Sequence, residues 1–156
     1  MIKEIERKYL VTSLPLGYEQ NKYSDIIQGY ISVDGDGTEV RLRKMDNTHT
    51  ITVKTGKGLV RDEYEILIPP EHYEKLWPTT SGRRIKKTRY YIAHNGFVIQ
   101  LDVYGGHLKG LFTAEIEFST EEQSDTFTPP TWLGEEVTDD VRYKNKSLAI
   151  YGINFR

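Results

Sequence analysis

In an extended strand, successive side chains fall on opposite faces, so a period of two along the chain marks a strand and sorts its residues. Residues 2–9 (IKEIERKY) follow that period, with Glu4, Glu6 and Lys8 on one face and Lys3, Ile5, Arg7 and Tyr9 on the other. The regular face is the charged one, the reverse of an ordinary half-buried strand. The period returns in residues 24–33, where Ile27, Gly29 and Ile31 oppose Gln28, Tyr30 and Ser32. In 38–45, Glu39, Arg41 and Arg43 oppose Val40 and Leu42; in 49–55, Thr50, Thr52 and Lys54 oppose Ile51 and Val53. In 60–68, Arg61, Glu63 and Glu65 oppose Tyr64 and Ile66. Residues 83–92 carry Ile85, Lys87, Arg89 and Tyr91 in phase, and 97–104 carry Val98, Gln100, Asp102 and Tyr104. Residues 112–118 close the series with Thr113, Glu115 and Glu117 against Ala114, Ile116 and Phe118.

Turn chemistry separates these strands. Residues 12–21, with Pro15 and Gly17, read as a loop. Asp34-Gly35-Asp36-Gly37 and Asn95-Gly96 read as hairpin turns, and Gly56-Lys57-Gly58 as a short hairpin connection. The last is no P-loop, since the Gly-to-Lys-Ser/Thr spacing and a following helix are both missing. Pro69-Pro70 ends a strand and opens a short helix over 71–77. Residues 119–131 are polar, with Pro129-Pro130, and read as a connector. Thr138-Asp139-Asp140 reads as a helix start, continuing over 142–149.

At 156 residues the chain is expected to form one domain spanning 1–156. The 21 basic and 23 acidic residues nearly cancel, which excludes a generic nucleic-acid surface but leaves both signs free to be sorted locally. With no Cys there is no disulfide, no thiolate metal site and no thiol nucleophile. No apolar stretch reaches signal-peptide or membrane-spanning character, so a soluble cytoplasmic protein without membrane partners is expected.

The candidate chemistry lies in the charged phase. Its acids are Glu4, Glu6, Glu63, Glu65, Asp102, Glu115 and Glu117; its bases are Lys8, Arg41, Arg43, Lys54, Arg61, Lys87 and Arg89. Two arrangements satisfy the pattern. Alternating charge ordinarily marks the solvent face of an antiparallel sheet. Here, though, it recurs in nearly every strand, and acids and bases mostly segregate by strand. A closed barrel of about eight strands with the charged face inward accommodates both facts. Its apolar faces would point outward and need cover from helices or a second subunit, which makes a homodimer plausible. Inside, acids facing bases would satisfy one another in part. Oxygen-only ligand sets favour Mg²⁺ or Mn²⁺ over zinc, and clustered Arg and Lys favour phosphate.

Glu4-x-Glu6-x-Lys8, followed in order by QGYI, VRLRK, ITVKTGKGLVRDEYEI, IKKTRYYI, GHLKGLFTAEIEF and WLGEEVTDDVRYKNKSLA, resembles the CYTH domain of the triphosphate tunnel metalloenzymes. The likeness runs almost end to end and is greatest to the short bacterial branch. It implies a mainly β (α+β) fold, a closed antiparallel tunnel of about eight strands with a few peripheral helices, that binds a small-molecule triphosphate with divalent metal. By position it implies metal-binding acids at Glu4, Glu6, Asp102, Glu115 and Glu117. A phosphate cradle falls at Lys8, Arg41, Arg43, Lys54, Lys87 and Arg89, joined by Arg61. Glu4, Glu6, Lys8, Lys87 and Glu117 become the catalytic candidates, Glu63 and Glu65 are open between site and support, and Tyr30 between supporting a tunnel Lys and packing. The branch favours hydrolysis of inorganic tripolyphosphate by a metal-dependent triphosphatase. Thiamine or nucleoside triphosphate hydrolysis, adenylyl cyclisation and non-catalytic polyphosphate binding are the alternatives. Trp77 and Trp132 fall outside the tunnel phase and are expected to pack rather than stack on a base. Arg142, Lys144 or Lys146 of the last helix could approach substrate.

Overall fold

In the computed structural model, which describes residues 2–35, 37–56 and 59–153, the backbone closes on itself. Eight strands form it: β1 (Ile2–Leu10), β2 (Tyr23–Val33), β3 (Glu39–Met45), β4 (Thr48–Thr55), β5 (Val60–Leu67), β6 (Arg84–His94), β7 (Phe97–Tyr104) and β8 (Phe112–Phe118). They are joined antiparallel in the cyclic order β1-β5-β4-β3-β2-β6-β7-β8. The mainly β tunnel fold implied by the resemblance is therefore the fold observed, and of the two arrangements the alternation allowed, the inward-charged barrel is the one formed. Hairpins supply most of the order. Asn95 (φ 47°) and Gly96 (φ 82°) both take the left-handed conformation that a two-residue turn between right-twisted strands requires. The other two predicted turns contain Asp36, Lys57 and Gly58, which lie outside the described residues. Two steps are long-range: β2 pairs with β6, and β1 leaves its sequence neighbours to lie between β5 and β8.

The apolar faces point outward, and the main core lies between the barrel and the segments wrapped on it. Ile5, Tyr9, Ile99, Leu101, Ala114, Ile116 and Phe118 of β1, β7 and β8 pack under Phe127 and Leu133. Phe97, Phe118 and Phe127 meet edge-on, with ring centroids 5.3–5.6 Å apart. Burial of one such ring contributes about 2–3 kcal/mol, so this aromatic cluster anchors the 119–137 segment. That segment is more than a connector: it contains α2 (Glu121–Thr126), started by Thr120, whose hydroxyl accepts from the Gln123 amide at 3.1 Å. Ser119 N–H donates to Gln123 Oε1 at 2.9 Å, a close variant of the capping box.

Helix α1 (Pro70–Leu76) and the turn after it cover the outer face near β2. Gly29 permits that approach, because a Cβ there would sit 2.5 Å from Thr80 Cβ. Trp77 stacks on Tyr73 and lies under the Arg84 guanidinium, and Trp132 packs against the main core; both are packing residues. The helix expected over 142–149 is interrupted. Asp140 caps a single turn, Val141–Tyr143, Lys144 is extended (ψ 137°), and α3 (Asn145–Tyr151) starts afresh. Leu148 and Ala149 of α3 pack on Tyr30, Ile85 and Tyr104, inward-facing residues of β2, β6 and β7, and so stop one end of the barrel. Among the described residues no helix is long and apolar enough to cross a membrane.

Candidate active site

The strand registers decide which charges meet in the lumen. Glu6 lies opposite Glu117 and Lys8 opposite Glu115 on the β1–β8 ladder. Glu4 lies opposite Arg61, Lys54 opposite both Glu39 and Glu63, and Arg89 opposite Asp102. The structure thus brings all the residues singled out by the charged phase around one lumen, but it gives them different partners.

Asp102 and Glu115 are committed to bases. Asp102, fully buried, accepts from Lys87 Nζ at 2.7 Å and from Arg89 Nε and Nη2 at 2.7 and 2.9 Å. Burial raises its carboxyl, but the two cations outweigh burial and hold it below the usual range. Glu115 is 3.5 Å from Lys8 and 3.7 Å from Arg89, and those charges likewise overcome burial and hold it well down.

The remaining three acids behave oppositely. Glu4, Glu6 and Glu117 can bring carboxylate oxygens within 4.8 Å of one another. Burial, then repulsion from Glu115 and its other acidic neighbours, pushes Glu6 up to about 8, against an opposing pull from Lys54. Glu117 rises through burial and then the charges of Glu4 and Glu115. Glu4 also rises through burial, although Lys54 donates to both its oxygens at 2.8 and 3.0 Å. Three crowded acids short of positive charge form a donor set that fits a hard divalent cation.

The bases divide as well. Lys8, Lys54, Arg61, Lys87 and Arg89 each have a carboxylate within ion-pairing distance. Lys8 also donates to Tyr143 O at 2.5 Å. Arg61 is saturated by Glu39, Gly37 O and Gly56 O, so it clamps the hairpin ends while lining the lumen. Arg41 and Arg43 have no carboxylate partner among the described residues. Arg41 reaches Thr52 Oγ1 at 3.3 Å, and its buried Nε has no acceptor. Arg43 donates to the neutral amide of Gln28. Two guanidiniums without counter-charge mark where an anion is wanted.

Glu63, at 3.6 Å from Lys54, and Glu65, accepting from Thr52 at 3.1 Å, support these groups. Among the described residues no lysine donates to Tyr30; its buried hydroxyl accepts from Gln28 Nε2 at 3.0 Å. Glu39, Gln28 and Asn145 are lumen residues that the charge pattern did not single out. The first two are in phase with residues that were, and Asn145 is brought in by α3 to accept from Tyr104 at 2.7 Å. Lys144 lines the cavity with Glu6, Lys8, Arg41 and Lys54, whereas Arg142 faces away and pairs with Asp140.

The profile of the CYTH domain matches residues 2–149. The chain belongs to the CYTH domain family. Among its CYTH relatives, the inorganic triphosphatase of Nitrosomonas europaea is 46% identical over 148 residues, covering 94% of this chain and 97% of that protein. The inorganic triphosphatase of Acetivibrio thermocellus is 39% identical over 156 residues, with 96% and 94% covered. A crystal structure of an inorganic triphosphatase superposes with a TM-score of 0.71 at 44% identity over 96% of both chains. A protein from Pyrococcus horikoshii at 18% identity (TM-score 0.56, 78% of this CYTH chain and 83% of that one) shares the fold.

Proposed function

We propose that this CYTH protein is an inorganic triphosphatase, hydrolysing a terminal phosphoanhydride bond of tripolyphosphate with the help of a divalent cation. The observation that carries the reading is the facing of two uncompensated guanidiniums, Arg41 and Arg43, against three crowded carboxylates, Glu4, Glu6 and Glu117. An anion that brings its own cation satisfies both walls at once. Relatives named inorganic triphosphatase at 46% and 39% identity support the same substrate class.

Glu4, Glu6 and Glu117 would hold the cation, and their all-oxygen donor set suits Mg²⁺ or Mn²⁺. When bound there, the ion would offset phosphate charge and raise the acidity of nearby water. Arg41 and Arg43 hold the phosphate chain from the opposite wall and meet the charge that develops on the leaving pyrophosphate. Lys87 and Arg89, fixed by Asp102, and Lys8, fixed by Glu115, extend that positive wall. Water attacks the terminal phosphorus, the bridging P–O bond breaks, and orthophosphate and pyrophosphate leave.

Among the described residues, the aromatic side chains in the inward phase are engaged rather than free to stack on a base or a thiazole, and Tyr91, partly buried, donates to Ser24 Oγ at 3.0 Å. Tyr30 and Tyr104 are buried with their hydroxyls engaged, and both tryptophans are packing residues outside it. Phosphate release from tripolyphosphate with Mg²⁺ or Mn²⁺, beside ATP and thiamine triphosphate, tests the proposal. Release confined to tripolyphosphate supports it; release chiefly from an organic triphosphate overturns the substrate, and binding without release overturns the enzyme.

A further inference from the structure

Among the described residues, Gln28 is the one neutral side chain that directly grips a lumen guanidinium by its fork. Its Oε1 accepts from Arg43 Nε at 3.0 Å and from Arg43 Nη2 at 2.8 Å. Both donors of the fork converge on one amide oxygen, at a place where a carboxylate would meet them with two. The amide orientation is fixed from its other side, since Nε2 donates to Tyr30 Oη at 3.0 Å. Gln28 and Tyr30 are both essentially without solvent exposure, so neither rotates freely. The other paired lumen bases use acids: Lys54 with Glu4, Arg61 with Glu39, Lys87 and Arg89 with Asp102.

From this we infer that Gln28 is a positioning residue for substrate binding: it orients Arg43 through its fork while leaving the full positive charge, and the free Nη1 edge, for a phosphate of the substrate. A glutamate at the same place would give the same geometry and cancel the charge. The electrostatic surroundings agree with the assignment. Burial, then the neighbouring Arg41 and Arg89, pushes Arg43 down to about 9, the condition of a cation lacking counter-charge. The donor-only guanidinium turns the amide oxygen toward Arg43, and Tyr30 is the second link, accepting from the Nε2 left on the other side. The chain Tyr30–Gln28–Arg43 crosses β2 and β3 on directly paired positions, so the backbone register itself holds it.

The inference rests on the triphosphatase reading for its substrate but not for its geometry, and the test separates the two. Gln28→Glu is expected to raise KM for tripolyphosphate, and Kd measured calorimetrically, at least about 10-fold. Its kcat is expected to fall less than KM rises, and its Tm to stay equal or increase, because an ion pair replaces a neutral contact. Loss of affinity with no loss of stability separates charge cancellation from structural damage. KM and Kd within twofold of the wild type would overturn the inference. Should Gln28→Glu not fold, Gln28→Met and Arg43→Met complete a double-mutant cycle. In the Arg43→Met background, adding Gln28→Met is expected to change Kd less than twofold, and full additivity would overturn the inference. If the wild type neither binds nor cleaves tripolyphosphate, the triphosphatase reading falls. The Arg43 Nε–H NMR signal then decides the positioning alone: slow exchange in the wild type that becomes fast in Gln28→Met supports it, and equal exchange rates refute it.

Discussion

Glu6→Gln separates stability from function at the acidic wall. In the folded protein the Glu6 carboxyl is carried from its ordinary 4.5 to about 8 by burial, then by Glu115, with Glu4 and Glu117 adding to the push and Lys54 opposing it. A group that holds its proton more tightly when folded stabilises the fold below its unfolded value, and loses that contribution as pH rises through its folded value. At about 1.4 kcal/mol per pH unit, about 4 kcal/mol of the Glu6 contribution disappears between about pH 5 and pH 9. Glutamine cannot ionise and occupies the same space. Urea unfolding of both proteins in chelator, across that range, should show the variant gaining on the wild type as pH rises, with most of the gain complete by about pH 8. Taking the difference cancels the distant titrating groups, whereas Glu4, Glu115 and Glu117 lose the repulsion of Glu6 and titrate at lower pH in the variant. With Mg²⁺ present the order reverses in function: the variant loses at least about 100-fold in phosphate release, because one ligand oxygen has lost its charge. A stability difference that is constant with pH would refute the electrostatic account of Glu6, and near-normal turnover would remove it from the metal set.

Three further outcomes follow from the partners of individual residues. Asp102→Asn leaves Lys87 buried without a paired carboxylate and Arg89 with Glu115 alone, at 3.7 Å, and should cost about 3–5 kcal/mol in urea unfolding; a loss below about 1 kcal/mol contradicts its role as their anchor. Arg41→Met removes a buried Nε that has no acceptor, so Tm should hold or rise while KM for tripolyphosphate climbs about 10-fold, and an unchanged KM would take Arg41 out of the cradle. Gly29→Ala drives a methyl to 2.5 Å from Thr80 Cβ and should cost about 1–3 kcal/mol in thermal unfolding, partly recovered by Thr80→Gly; full stability in the single variant would mean the helix shifts freely.

The strands were legible because a period of two survives any tertiary context that keeps the barrel closed. The predicted and observed limits of β7 and β8 coincide, and those of the other strands differ at their ends by no more than two residues. What escaped was local geometry that breaks the period. A register shift between Tyr30 and Ser32 sets Ser32 beside Val40, an outward position, so Ser32 leaves the face it shares by counting. The helix Glu121–Thr126 carried its own signal, Thr120 followed three residues later by Gln123, inside a stretch whose polarity argued for a loop. In the site, charge alternation identified which residues face inward but not which acid meets which base. That depends on how far each strand is offset from the next, a property of the closed sheet rather than of any one segment. So Asp102 and Glu115 looked equivalent to Glu4, Glu6 and Glu117, although bases hold the first two down and the last three stand raised. Gln28 was passed over because a search for charge does not see a neutral acceptor.

The position of β1 has a consequence for assembly. It is first in the chain, yet its ladders are with β5 and β8, so Glu6 meets Glu117 only after everything between them has been built. Hairpins β2–β3–β4–β5 and β6–β7–β8 rest on near-neighbour pairing and can form early, while insertion of β1 closes loops of large sequence separation and is expected last. Once β2 has paired with β6, and until β1 is inserted, the chain has two unpaired strand edges, at β5 and β8, and β8 carries Glu117 without Glu4 and Glu6. Closure therefore does two things in one event: it removes the edges through which the chain could pair with another copy, and it brings together the three carboxylates proposed to hold the cation. A molecule lacking this closure lacks that protection, and on the proposed reading a cation that binds only the assembled cluster would favour the closed state.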